Sequence, residues 1–134
     1  MILQGFLEGH EEDITVMTKV QDFLVTGSRD KTLNVYDLRK MKKVGDIKEH
    51  EDIVWALNGY DGNVLSGDFN GAVHLWSVKN QKILQSMAPD TLPVRNLAHN
   101  AGTNQFIVGS KGNVAIYDNR KLDKEELISF DMKD

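Results

Sequence analysis

The sequence predicts an all-β chain built from three tandem repeats, and three observations carry that prediction. The chain superimposes on itself when shifted by 40 positions, apolar residues inside each repeat alternate with a period of two, and Gly, Asn and Asp punctuate the repeats where tight turns need them. The first shift brings His10 onto His50, Glu11 onto Glu51, Ile14 onto Val54, Met17 onto Leu57, Thr26 onto Ser66, Gly27 onto Gly67, Asp30 onto Asn70 and Tyr36 onto Trp76, with no gap. A second shift carries Val54 to Val94 and Leu57 to Leu97. Small length changes near residues 101–104 and 111–112 then bring Gly67 to Gly109 and Trp76 to Tyr117. The repeats span roughly residues 7–38, 47–78 and 88–119 of a single 134-residue repeat domain.

Each repeat divides into four strands, A to D. Strand A covers Ile14 to Val20, Ile53 to Asn58 and Val94 to Ala98, and strand B covers Phe23 to Thr26, Val64 to Ser66 and Phe106 to Val108, each B ending in a glycine. In strand C, Leu33 and Val35 alternate with Asn34 and Tyr36, Val73 and Leu75 with His74 and Trp76, and Val114 and Ile116 with Ala115 and Tyr117, so these strands have two distinct faces. Val44 to Ile47, Ile83 to Met87 and Leu127 to Phe130 supply strand D. The breaks at Gln21-Asp22, Asp61-Gly62 and Asn70-Gly71 are turn chemistry. Four antiparallel strands per repeat make one propeller blade, so the predicted fold is three four-stranded blades.

At these residues the chain resembles the WD40-repeat family. Gly9-His10 lies about 27 residues before Tyr36-Asp37, and Thr26-Gly27-Ser28-Arg29-Asp30 closes strand B and turns into C. The resemblance covers nearly the whole chain and implies a β-propeller of WD40 type that acts as a protein-interaction scaffold in multiprotein complexes. It also implies a structural tetrad in each blade: a His before A, a Ser or Thr on B, an Asp in the B–C turn and a Trp on C that donates to the hydroxyl. The matching positions are His10, Thr26, Asp30 and Tyr36 in the first repeat and His50, Ser66, Asn70 and Trp76 in the second. The third repeat has Asp90 in the His position and Val108 in the hydroxyl position, and is expected to rely on apolar packing.

Composition narrows the function further. With 40% apolar and 27% charged residues the chain reads as globular, and no apolar run approaches the roughly 18 residues a membrane helix needs. Twenty acids against 16 bases argue against general coating of nucleic acid, and the absence of cysteine suits the reducing cytoplasm or nucleus. No metal, cofactor or catalytic residue is expected. The histidines at 10, 50, 74 and 99 lack metal-ligand spacing, and a His, Ser and Asp set that recurs and is then abandoned behaves as a structural device. His74 and His99 are expected at the surface or on an edge.

The loops are the candidate functional elements. D–A loops carry Glu8, Glu11, Glu12, Asp13, Glu49, Glu51, Asp52 and Asp90, while C–D loops on the opposite face carry Arg39, Lys40, Lys42, Lys43, Lys79, Lys82, Arg120, Lys121 and Lys124. The candidate protein-binding face therefore comprises Glu11, Glu12, Asp13, Arg29, Glu51, Asp52, Phe69 and Arg95, with Phe69 and Arg95 as anchors. The basic face is the candidate for anion recognition, whether of RNA or phosphoinositide. Three blades fall short of the four to eight that close a ring, and Ile2 to Leu7 matches strand D of a blade that would precede the first. The sequence therefore implies a segment of a longer propeller, a six-bladed ring of two chains, or a ring completed by a partner protein.

Overall fold

The computed structural model describes residues 1–88, 92–100 and 102–118 in full and residues 128–131 as backbone. Its strands form three separate four-stranded sheets. The first blade contains β1 (Ile14–Val20), β2 (Phe23–Ser28), β3 (Leu33–Asp37) and β4 (Lys42–Ile47); the second contains β5 (Val54–Tyr60), β6 (Asn63–Asp68), β7 (Val73–Ser77) and β8 (Lys82–Met87). The third contains β9 (Asn96–Asn100), β10 (Gln105–Gly109), β11 (Asn113–Asp118) and β12 (Ile128–Asp131). Every pairing is antiparallel between strands adjacent in sequence, and the blades form an open array. Among the described residues there is no helix.

Most strand boundaries shift by one or two residues from the expectation, and two of the shifts have a clear backbone reason. Strand A of the third blade starts at Asn96, because Val94 N donates to Asp68 O at 3.0 Å in the second blade, while Arg95 N donates to Gly109 O at 2.9 Å. In the first blade, strand D begins at Lys42, where Asp37 pairs with Lys42 and Tyr36 with Lys43 across a bulge after Val35.

The period of two decides where the core lies. In the second blade Leu57, Val64 and Trp76 point toward the first blade, joining Val20, Val25, Leu33, Val35 and Ile47 in one buried cluster. Their sequence neighbours Ala56, Leu65 and Leu75 point the other way, joining Val94, Leu97, Phe106, Val108, Ala115 and Tyr117 of the third blade. Both faces of the middle sheet are thus buried, and each core sits between two blades. At about 1.5–3 kcal/mol for a fully buried aliphatic or aromatic side chain, most of the apolar stabilisation resides in these joints. His99 lies on β9, the edge strand of the third sheet, in keeping with an edge position, and it belongs to the second joint: its ring stacks on Tyr60 at 3.8 Å and tilts against Phe106 at 5.4 Å, so it is half-buried.

Two glycines at the same repeat position set how closely the blades approach. A Cβ on Gly27 would stand 2.6 Å from Val54 Cγ1, and one on Gly67 would stand 2.8 Å from Val94 Cβ. Each absent side chain leaves a socket for the first valine of the next blade. Residues 2–7 join no sheet among the described residues. Gly5 nevertheless lies beside the Met41 side chain, as Gly45 lies beside Gln81 exactly one repeat later.

The socket geometry makes a direct prediction. Gly27→Ala and Gly67→Ala each force a shift at a joint and lower stability by about 1–3 kcal/mol, measured as a reduced midpoint of denaturant unfolding with an unchanged slope.

Candidate functional site

Each of the first two blades holds a buried polar network. Before β1, His10 places Nδ1 3.0 Å from Asp30 Oδ2 and Nε2 2.6 Å from Thr26 Oγ1. Thr32 Oγ1 donates to Asp30 Oδ1 at 2.5 Å, and the backbone N–H groups of Glu11 and Thr32 donate to the same carboxylate at 3.0 and 2.9 Å. Burial by itself would raise the Asp30 carboxyl, but the bonds from Thr32, Glu11 and His10 outweigh it and bring the pKa from its ordinary 3.8 down to about 2. Gly9 is required beside this network. Its φ of 149° lies outside the regions comfortable for a side chain, and a Cβ would stand 2.8 Å from Asn34 Nδ2.

The second blade corrects one sequence assignment. His50 Nδ1 pairs with Asp68 Oδ2 at 2.9 Å, and Nε2 lies 2.7 Å from Ser66 Oγ. The acid is therefore Asp68 and not Asn70, which contributes only its backbone N–H to Asp68 Oδ1. Asp68 is the last residue of β6, two positions after Ser66, so both side chains leave the same face of the strand. In the first blade that place is held by Ser28, and the carboxylate comes from the turn at Asp30. Asp68 also accepts from Ala72 N at 3.0 Å. Burial opposes its ionisation, and the bonds from His50, Ala72 and Asn70 reverse that effect and hold its pKa below the ordinary value.

The aromatic members behave differently from the implied tetrad. Trp76 is fully buried, with Nε1 lacking a hydrogen-bond partner, and Tyr36 Oη accepts from Asn34 Nδ2 at 3.2 Å. Both rings therefore act as packing, and the hydroxyls of Thr26 and Ser66 are held by histidine. His74, expected at the surface or on an edge, lies on the inner strand β7 and is half-buried with its ring 4.6 Å from that of His50, and Nδ1 lies 2.6 Å from Ser86 Oγ. Burial, followed by the neighbouring His50, lowers the His74 pKa. In the third blade Val108 is buried within the apolar cluster, as expected; Asp90 lies outside the described residues.

Ser66, His50 and Asp68 are the residue types of a hydrolytic triad, connected in the same order. Ser66 is 0% exposed, so no carbonyl group can reach its oxygen. The arrangement fixes the loop before strand A to the end of strand B.

The exposed chemistry lies at the opposite end of the A strands from the A–B turns. Trp55, the second residue of β5, is half-buried, with the guanidinium carbons of Arg29 and Arg95 each 6.0 Å from its ring. Phe69 meets the ring edge-on at 5.9 Å, and Arg95 lies 5.5 Å from the centre of Phe69. Three of the predicted face residues, Arg29, Phe69 and Arg95, therefore converge, and they do so on Trp55, which the sequence reading missed. Its signal was the repeat itself: positions 15, 55 and 95 are equivalent, and so are Arg29 and Phe69. Of the acids predicted on this face, Asp13 borders the cluster. Asp13 lies 3.9 Å from Arg29 Nε, and Glu11, Glu12 and Glu51 are exposed while Asp52 Oδ1 accepts from Ile53 N at 2.7 Å.

The predicted basic face is partly neutralised. Arg39 pairs with Asp22 of an A–B turn at 2.8 Å, and Lys43 pairs with Asp46 at 3.1 Å. Lys42, Lys43 and Lys82 lie within strands, whereas Lys40 and Lys79 occupy exposed turns. Arg120, Lys121 and Lys124 lie outside the described residues. Among the described residues, no group of His, Asp and Glu is arranged to hold a metal ion.

Two predictions follow from the networks. Asp68→Ala leaves the buried His50 Nδ1 without its carboxylate and costs about 3 kcal/mol, whereas Asn70→Ala stays within about 0.5 kcal/mol, as measured by urea unfolding. Because the folded Asp30 carboxyl titrates below its unfolded value, its stabilisation is complete above about pH 4 and disappears as pH falls toward 2. Asp30→Asn is therefore less stable at pH 7 and loses less stability than the parent over that acid range, followed by tryptophan fluorescence.

Comparison with known proteins agrees with this geometry. The WD40 family model, described as "WD domain, G-beta repeat", matches residues 2–37 and 41–77. A p21-activated protein kinase-interacting protein 1-like protein of Gallus gallus is 28% identical over 103 residues, covering 75% of this chain and 28% of its own length. F-box/WD repeat-containing protein 9 of Homo sapiens is 31% identical over 84 residues, covering 53% of this chain and 18% of its own. The chain thus spans less than a third of the length of these curated relatives. The crystal structure of the computationally designed Ika4 protein superimposes with a TM-score of 0.85 at 26% identity, over 97% of this chain and 81% of that one. With its repeats, its joints and these likenesses in agreement, the chain belongs to the WD40-repeat family.

Proposed function

We propose that the chain is a non-catalytic protein-interaction scaffold that helps to assemble a multiprotein complex, and that it holds its partner on the face centred on Trp55. The observation that carries this reading is the convergence of Arg29, Phe69 and Arg95 on a half-exposed tryptophan, with Asp13 beside Arg29. Tryptophan and arginine provide large contact areas and strong anchors at protein interfaces. The flanking guanidiniums can donate to peptide carbonyls, while Glu11, Glu12, Asp13, Glu51 and Asp52 favour basic side chains at the border. The relatives support the same class of role, one being named for interaction with a kinase. Anion recognition by the C–D loops is the weaker alternative, since Arg39 and Lys43 already have acidic partners.

The test is an array of lysine- and arginine-containing peptides, with matched acidic peptides as controls, read by fluorescence of the labelled peptides. Trp55→Ala is expected to weaken the best basic peptide at least tenfold without altering the fold, and Glu11→Lys/Glu12→Lys/Asp13→Lys to reverse the preference. Undiminished binding in both variants contradicts the proposal; a preference for RNA or phosphoinositide abolished by Lys40→Glu selects the alternative.

A further inference from the structure

One inner-strand position of the second blade carries a titratable ring where the first blade carries an amide. Asn34 and His74 are equivalent in the repeat, each paired with strand B on one side and strand D on the other. Asn34 donates to Tyr36 Oη at 3.2 Å and does not titrate. His74 stands between Ser66 and Ser86 in the register, its ring 4.6 Å from that of His50 and its Nδ1 2.6 Å from Ser86 Oγ. His50 in turn ties the loop before β5 to the sheet. Ionised Asp68 can only accept, so His50 Nδ1 carries the proton of that bond while Nε2 faces the Ser66 hydroxyl. Beside His74 a cleft of about 510 Å³ opens between β4 of the first blade and β7 and β8 of the second. Its charged groups are Asp46 on β4, Lys48 and Glu49 in the segment leading to His50, and Lys82 on β8.

We propose that His74 is a proton switch for the loop before β5: on protonation its ring leaves His50 and Ser86 for the cleft, toward Glu49, and residues 48–53 loosen. Burial and the neighbouring His50 disfavour the charged ring where it stands, and Asp68 and Glu49 favour it without prevailing. The His74 pKa therefore lies below its ordinary 6.5, so the stabilisation given by the neutral ring is complete above that pH and is lost as pH falls below it. A charged ring needs a carboxylate. Asp68 is already engaged by His50, Ala72 and Asn70, and Asp46 by Lys43 at 3.1 Å. Glu49 is exposed, forms no ion pair among the described residues and immediately precedes His50, so a contact with it pulls on the loop itself. The first blade has no such switch, because Asn34 stands in the place of the ring. The inference concerns this loop and holds whichever partner the Trp55 face takes.

Two equivalent amides report the outcome. Phe69 N donates to Ile53 O at 2.9 Å and so senses whether the loop before β5 is held, and Arg29 N donates to Asp13 O at 3.0 Å in the first blade. The test is amide hydrogen exchange, corrected for its intrinsic pH dependence, with NMR of the histidine rings from about pH 8 to 5. Protection of Phe69 is expected to fall about tenfold more than that of Arg29 as the His74 ring titrates. His74→Asn, which copies the first blade, is expected to remove the difference, and Glu49→Gln to move it to lower pH. Equal losses at Phe69 and Arg29, constant protection in the parent, or a difference that survives in His74→Asn overturns the proposal. Should His74→Asn fail to fold, the parent decides: a His74 ring that titrates together with the Phe69 protection supports the switch, and one that titrates without it overturns it.

Discussion

The organisation of this chain depends on one contact, a branched side chain at the start of an A strand seated on a glycine at the end of the preceding blade's B strand. Val54 on Gly27 and Val94 on Gly67 bring neighbouring sheets close enough for the alternating apolar residues to interdigitate. A four-stranded sheet whose residues are apolar on both faces cannot hide them alone. The repeat solves this by making each blade half of two cores, so the period of two in the sequence and the period of 40 are aspects of the same packing problem.

The polar networks solve a different problem. The loop before each A strand must be fixed to the sheet it precedes, and His10 and His50 achieve this by bonding a hydroxyl of strand B with one nitrogen and a carboxylate with the other. The carboxylate need not come from a single sequence position, because Asp30 in the turn and Asp68 at the strand end both reach the same imidazole nitrogen. Fixing these loops also places Arg29 and Phe69, which adjoin Asp30 and Asp68 in sequence, beside Trp55. The buried network thus supports the exposed face without contributing to it chemically.

Much of this could be read before any coordinates. Repeat alignment located three strands A to C in every unit to within a few residues, because turn glycines and alternating aliphatics are local signals. It misassigned the acid in the second blade because position 70 aligned with Asp30, whereas the strand's own alternation placed Asp68 beside Ser66. The family pattern likewise suggested that Trp76 would donate to a hydroxyl, yet the histidine already occupies that hydroxyl and the indole is left to pack. The edge position of His99 was legible, but its stacking was not, because that depends on Tyr60, 39 residues earlier and in another blade. Trp55 was missed for a similar reason: its importance arises from residues contributed by three blades.

The central claim is that the stabilising cores lie between blades, and native-state hydrogen exchange of Val54→Ala tests it most directly. Val54 belongs to the second blade in sequence and seals the first blade in space. The account predicts that protection falls in β2 and β3 as far as it falls in β5 and β6. Loss confined to the strands of the second blade, with β2 and β3 as protected as before, would contradict it.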